Sequence, residues 1–280
     1  MDEDRAVFVL DADGFNELRI CRSGPMLYNR FDKYVGQSLR KYGEFSSGER
    51  SLFEQIVRPG MAVVEVGANI GAHTVELSRM AGSRGFVWAF EPQRIPFQTL
   101  CANLALNQCV NVDARQAAIG SAEGTIQVPN LDPRESHNFG GVELGEFQGG
   151  DAIALLTLDS LALPACHFLK VDVEGMELDV LRGGAAIISR FRPMLYVEND
   201  RPAKSAALIG YLFAIGYAAY WHVSPLFTPA NFAGDPEDIF GPVFSINLFC
   251  CPEEAAQRIE GLPRVATTTE LWPGCPVAPA

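Results

Sequence analysis

From Phe168 to Leu181 the chain reads FLKVDVEGMELDVL, an apolar strand pattern that runs into four carboxylates, Asp172, Glu174, Glu177 and Asp179. A carboxylate at a strand end can take a proton from a hydroxyl, orient a cationic ligand or bind a divalent ion. Strand alternation puts Lys170, Asp172 and Glu174 on one face and Leu169, Val171 and Val173 on the other. A second apolar run ends in LYVEND, so Glu198 also stands at a strand end. In an open parallel sheet reactants gather at the carboxyl ends of the strands. Asp172, Glu174 and Glu198 are therefore the candidate reaction crevice, with Glu174 as base or substrate anchor and Glu198 as a carboxylate that supports these two or contacts the substrate. Glu174 also has a structural reading, in which it holds a turn with Gly175. Glu177 and Asp179 fall in the first turn of the next helix, where acids complement the helix dipole. Lys170 can snorkel or pair with an acid.

A second group of residues has the form of a ligand turn. VVEVGANIGAHT is a buried strand, a glycine turn and a helix start, which brings backbone N–H groups and the positive end of a helix close to a ligand. The next strand ends WAFEP, and Glu91 at its end is suited to accept hydrogen bonds from two adjacent ribose hydroxyls. Gly67 and Gly71 do not complete a G-x-G-x-x-G dinucleotide fingerprint, and no G-K-S or G-K-T follows.

These groups need a sheet to position them. Apolar runs alternate with helical patterns from residue 61, which predicts an α/β fold with a parallel sheet and helices on both faces. Strands are expected over 62–66, 85–90, 112–118, 167–173, 194–198, 218–223 and 243–250, and helices over 72–81, 96–107, 176–189 and 203–215. Residues 1–60 read as an N-terminal extension with a short helix in YGEFSSGERSLFEQIV, residues 61–251 as the main domain, and 252–280 as a tail, mobile from Leu262. The polar, glycine-rich stretch 129–150 is a long loop of the functional kind. It carries His137, a candidate base on a segment able to close over an acceptor. A solvated loop histidine is the rival reading.

Composition excludes some partners. With 34 acids against 22 bases the net charge is -12, which disfavours nucleic acid. The apolar run 206–221 is too short for a membrane span and is split by Gly216 into a helix and a strand. No secretory signal is visible, and the seven cysteines lack paired metal-ligand spacing, so reduced thiols and a cytoplasmic location are expected. The four scattered histidines imply no metal, the alternative being a divalent ion shared by Asp172, Glu174 and Glu198.

Taken in order, E-V-G-A-N-I-G, F-E-P and L-K-V-D-V-E-G-M-E resemble the FkbM family of S-adenosylmethionine-dependent methyltransferases over about residues 42–251. The resemblance implies a Rossmann-like methyltransferase fold, a seven-stranded, mostly parallel sheet of order 3-2-1-4-5-7-6 with strand seven antiparallel. It implies S-adenosylmethionine as cofactor and a hydroxyl on a sugar or natural-product small molecule as acceptor. On the matching positions, Glu65, Gly67, Asn69 and Gly71 would surround the methionine and ribose part, Glu91 would bind the ribose, and Gln116, Ala117 and Ala118 would lie beside adenine. Glu65 stands where many of the family carry Asp. Asp172 would approach the methyl and the acceptor, and Glu44 in YGEFSSGE is a candidate to fold over the cofactor, with a surface acid as its rival. Two other functions stay open, an NAD-dependent oxidoreductase and a non-catalytic binding module, and a homodimer is possible.

Overall fold

The computed structural model describes residues 7–144, 147, 149–256 and 261–274. The chain begins with an antiparallel sheet of β1 (Val7–Val9), β2 (Asn16–Cys21) and β3 (Gly24–Asn29), followed by α1 (Val35–Tyr42) and α2 (Ser47–Ile56). Next come β4 (Ala62–Val66), α3 (Ala72–Ala81), β5 (Phe86–Phe90), α4 (Arg94–Leu106), β6 (Val112–Arg115), β7 (Ala118–Ile119), β8 (Gly124–Val128) and β9 (Asp151–Leu156). The remainder is β10 (Phe168–Val171), α5 (Glu177–Gly183), α6 (Ala185–Phe191), β11 (Met194–Glu198), α7 (Pro202–Ala214), β12 (Tyr217–Pro225) and β13 (Phe244–Pro252).

The central sheet runs β6-β5-β4-β10-β11-β13-β12, with β13 antiparallel to both neighbours. This is the expected order 3-2-1-4-5-7-6. All five residues of β4 are buried because helices cover both faces. Val64, Val66, Leu169, Val171, Leu195 and Val197 pack on the side of α5, α6 and α7. Val63, Phe168 and Tyr196 face the other way, against Phe53 of α2 and Leu77 of α3.

Four expectations need correction. The third strand ends at Arg115, and Ala118 and Ile119 pair with β9 in a second sheet, β7-β9-β8. The helix expected over 176–189 breaks at Gly184. A Cβ on Gly183 would stand 1.9 Å from the Gly120 carbonyl, so this turn packs directly on backbone, and Asp159 restarts the helix by accepting from the Ala186 and Ile187 N–H groups. The fourth strand ends at Val171, which leaves Asp172 to Glu174 in a turn rather than in the strand. The tail is not wholly loose: Trp221 donates its backbone N–H to Pro263, and Val265 donates to Ala219, along the edge of β12.

The N-terminal helices and the excursion between β12 and β13 meet above the carboxyl edge of the sheet. Tyr42 joins them: its hydroxyl donates to the Glu237 carbonyl at 2.9 Å and accepts from the Ile239 N–H at 3.0 Å. Among the described residues no helix is long and apolar enough to cross a membrane.

Candidate functional site

The turn after β4 is built almost entirely from backbone. Gly67, at φ +85°, and Ala68 both donate N–H groups to the Phe90 carbonyl at the end of β5, at 2.9 and 3.0 Å. A Cβ on Gly67 would stand 1.7 Å from the Asp172 carbonyl oxygen, so only glycine lets the ends of β4 and β10 approach this closely. Asn69, itself at φ +51°, donates its backbone N–H to Glu91 at 2.8 Å, and Gln93 donates to the other carboxylate oxygen at 2.8 Å. Gly71 then opens α3. Glu91 is 3% exposed. Burial pushes its carboxyl up to about 7 against the two N–H bonds, with the charges of Asp172 and Glu65 adding to the rise.

Glu91 borders a narrow slot whose other walls include Phe90, Ala117, Ala118, Ile119 and Met176. That apolar slot suits a flat ring, with a polar group at one end to fix its orientation. Gln116 is turned away from it, its amide donating to the Pro92 carbonyl at 3.3 Å.

A wider cavity of about 460 Å³, partly open to solvent, continues from this slot. The two share Gly67, Glu91, Gln93, Gly140, Asp172 and Glu174. One wall of the wider cavity is charged, with Lys170, Glu198, Asp200 and Arg201, and another is apolar, with Tyr34, Phe45, Leu226 and Phe244. Lys170 is 2% exposed and does not reach solvent. Its ammonium donates to Asp172 at 2.9 Å and lies 4.0 Å from Glu65, which accepts from the Thr74 hydroxyl at 2.6 Å. Burial alone would lower Lys170, but Asp172, Glu65 and Glu49 together hold it above the ordinary range.

Glu174 owes its position to a left-handed turn, φ +56° at Glu174 and +99° at Gly175, and not to strand alternation. Its carboxylate pairs with Arg201, while its N–H donates to Glu198 at 3.3 Å. Burial and the neighbouring Asp172 push Glu174 up to about 7, with Arg201 opposing, and burial with the same neighbours raises Glu198 well above the ordinary range. Asp172, Glu174 and Glu198 each present an oxygen within 4.8 Å of the others. Glu177 stays structural, accepting from the Gly175 N–H at 2.7 Å.

Four expected residues line neither cavity: Gln116, Gly71, Glu44 and His137. Glu44 is buried against Arg22 of the β2–β3 turn. His137 stacks edge-on to Phe139 and lies 3.4 Å from Glu135; its neighbours Asn138, Gly140 and Gly141 face the wider cavity instead. Sequence reading missed Glu49. It lines the cavity floor and accepts from four side chains: the Tyr196 hydroxyl at 3.1 Å, Ser245 at 2.6 Å, Asn247 at 2.7 Å and His73 at 2.8 Å. Burial would raise it, but the His73 imidazolium holds it far below the usual carboxylate range, and His73 rises to about 9 in return. A signal was present, since Glu49 shares the helical face of Leu52, Phe53 and Ile56, and an acid on a buried face needs a partner.

A family model described as the methyltransferase FkbM domain matches residues 65–218. The chain belongs to the FkbM methyltransferase family. Its similarity to curated proteins is partial. Methyltransferase sdnD of Sordaria araneosa is 30% identical over 154 residues, 43% of this chain and 59% of that protein. Methyltransferase 1 of Beauveria bassiana is 28% identical over 144 residues, 43% of this chain and 57% of that protein. The match thus spans less than two thirds of either relative. Among solved structures, the FkbM methyltransferase of Methylobacillus flagellatus is 22% identical, covering 78% of this chain and 55% of that one with a TM-score of 0.46.

Proposed function

We propose that the protein transfers the methyl group of S-adenosylmethionine to a hydroxyl oxygen of a sugar or natural-product small molecule. The observation that carries this reading is the joining of the two cavities at Asp172 and Glu174, a slot for a nucleoside opening into a wider space for an acceptor. The lining fits the cofactor. Asn69 Oδ1 is buried and has no hydrogen-bond partner among the described residues, and it offers an acceptor to an ammonium or hydroxyl donor. Glu91 would hold the ribose hydroxyls and Ala117 and Ala118 the adenine; Glu65 and Gly67 would enclose the methionine part. When bound, the cofactor supplies an electrophilic methyl on a sulfonium centre.

The chain's own groups supply position and proton transfer. Asp172, fixed by Lys170, stands where the two spaces meet and orients the acceptor hydroxyl. Glu174, with its carboxyl near 7, takes the hydroxyl proton and leaves the acceptor oxygen its electron pair for the methyl carbon; the electrons of the broken sulfur–methyl bond would stay on the sulfur of the departing thioether. The floor, with Glu49 and His73 buried and Ser245 half-buried, limits water on that side.

Titration of the purified protein with S-adenosylmethionine, S-adenosylhomocysteine and NAD is the first test, followed by transfer of a labelled methyl to a panel of sugars and glycosides. Binding of NAD without either adenosyl ligand would end the proposal. With an acceptor found, Asp172→Asn and Glu174→Gln should fold normally and lose most turnover. Unchanged rates in both would make these acids structural.

A further inference from the structure

Each acid of the crevice already has a cation. Lys170 serves Asp172 from below. The other two, Glu174 and Glu198, meet at one residue, Arg201, whose Nη2 pairs with Glu174 and whose Nη1 lies 3.5 Å from Glu198 and 2.8 Å from Asp200. Three carboxylates presenting oxygens within 4.8 Å of one another otherwise make a divalent-cation geometry. Here a guanidinium lies against two of them.

We propose that Arg201 is the built-in cation of this site, a positioning residue that holds Glu174 and Glu198 in place of a metal ion. The backbone commits it to the task. Arg201 precedes Pro202, the first residue of α7, and its extended φ of −104° and ψ of 100° is the conformation a following proline imposes. The N–D–R–P turn thereby sends the side chain back over the end of β11. Arginine suits the role because its planar fork donates in several directions at once, and a lysine in its place would engage fewer oxygens. The same guanidinium comes within 3.9 Å of Glu143, and Lys204 pairs with Glu143 while donating to the Gly175 carbonyl at 3.2 Å. Arg201 thus also ties the 129–150 segment to the crevice.

The inference concerns the carboxylates themselves, so it can fail or stand separately from the methyl-transfer reading, and its test needs no acceptor. Manganese binding is followed by electron paramagnetic resonance on the full chain. Wild type is expected to show no saturable site. Arg201→Met, which keeps bulk and removes charge, should bind Mn²⁺ at least about tenfold more tightly than wild type. Adding Glu198→Gln should abolish the new site, and Arg201→Lys should suppress it in part, a rescue by charge that packing alone would not give. Saturable Mn²⁺ binding in wild type that is lost in Glu198→Gln overturns the proposal. So does a folded Arg201→Met protein that binds no more Mn²⁺ than wild type. If Arg201→Met does not fold, Arg201→Met/Glu174→Gln is expected to restore folding by removing the uncompensated charge, and failure to do so also overturns it.

Discussion

The two halves of the cavity are held together in opposite ways. On the side proposed for the cofactor, backbone does the holding: Gly67 and Ala68 bind to Phe90, and Asn69 and Gln93 bind to Glu91. On the side proposed for the acceptor, side chains from distant segments do it: Glu49 of α2 with His73 of α3, Tyr196 of β11 and Asn247 of β13. A backbone-built site tolerates little change of shape but much change of neighbours. A side-chain network is sensitive to charge instead, because removing one member leaves another buried without a partner.

The sharpest test of this contrast is Gly67→Ala. With a Cβ placed 1.7 Å from the Asp172 carbonyl and φ at +85°, the cost should be about 3 kcal/mol or more, with loss of S-adenosylhomocysteine binding by calorimetry. Glu49→Ala should cost about 3–5 kcal/mol in a denaturant titration, since it strands the His73 charge. Its affinity for S-adenosylhomocysteine should stay near wild type in the folded fraction; a loss equal to that of the cofactor-side variants would merge the two halves into one. Glu91→Gln should do the converse, weakening that affinity about 10- to 100-fold, the worth of charged hydrogen bonds.

A pH experiment separates the halves by window, since both contributions are lost as pH rises. His73 rises from 6.5 to about 9, so the folded state holds this proton more tightly than the unfolded chain. The resulting stability is complete below about pH 6.5 and is lost as pH climbs through 9. Glu91, raised to about 7, makes ionisation costly in the folded state, so its contribution favours the fold below about pH 4.5 and fades as pH rises to 7. Thermal melts of His73→Asn should flatten the upper window only, and those of Glu91→Gln the lower one only. The smallest effect belongs to His137→Ala, which should shift stability by no more than about 0.5 kcal/mol.

The same contrast decides what could be read from the sequence. Gly67, Gly71 and Glu91 lie within one strand–helix–strand unit, so their spacing alone reports their proximity. The central sheet was legible for a similar reason, since runs buried on both faces stand out as continuous apolar stretches. Glu49 belongs to a different class: its helical face marks it as buried, but its partners lie as far along the chain as Asn247, and no local pattern names them. His137 and Asn138 differ by one position, and the loop's path, not its composition, sends the second toward the cavity. The β7-β9-β8 sheet escaped notice because β8 and β9 are short and half exposed, with little apolar alternation to mark them.

The placement of α2 has a practical corollary for anyone who trims or recombines this chain. Similarity to the family begins at residue 65, yet Glu49, Phe53 and Arg50, the partner of Glu76, lie before it, and Glu49 closes the cavity from outside that boundary. A fragment cut at residue 65 would keep every cofactor-side residue and expose Tyr196, Phe168 and a charged His73 to water. Shared ancestry, as the family match marks it, and self-sufficient folding therefore set different limits on this chain. Chimeras that aim to exchange acceptors are best joined ahead of α1, where the exchanged piece carries its own floor.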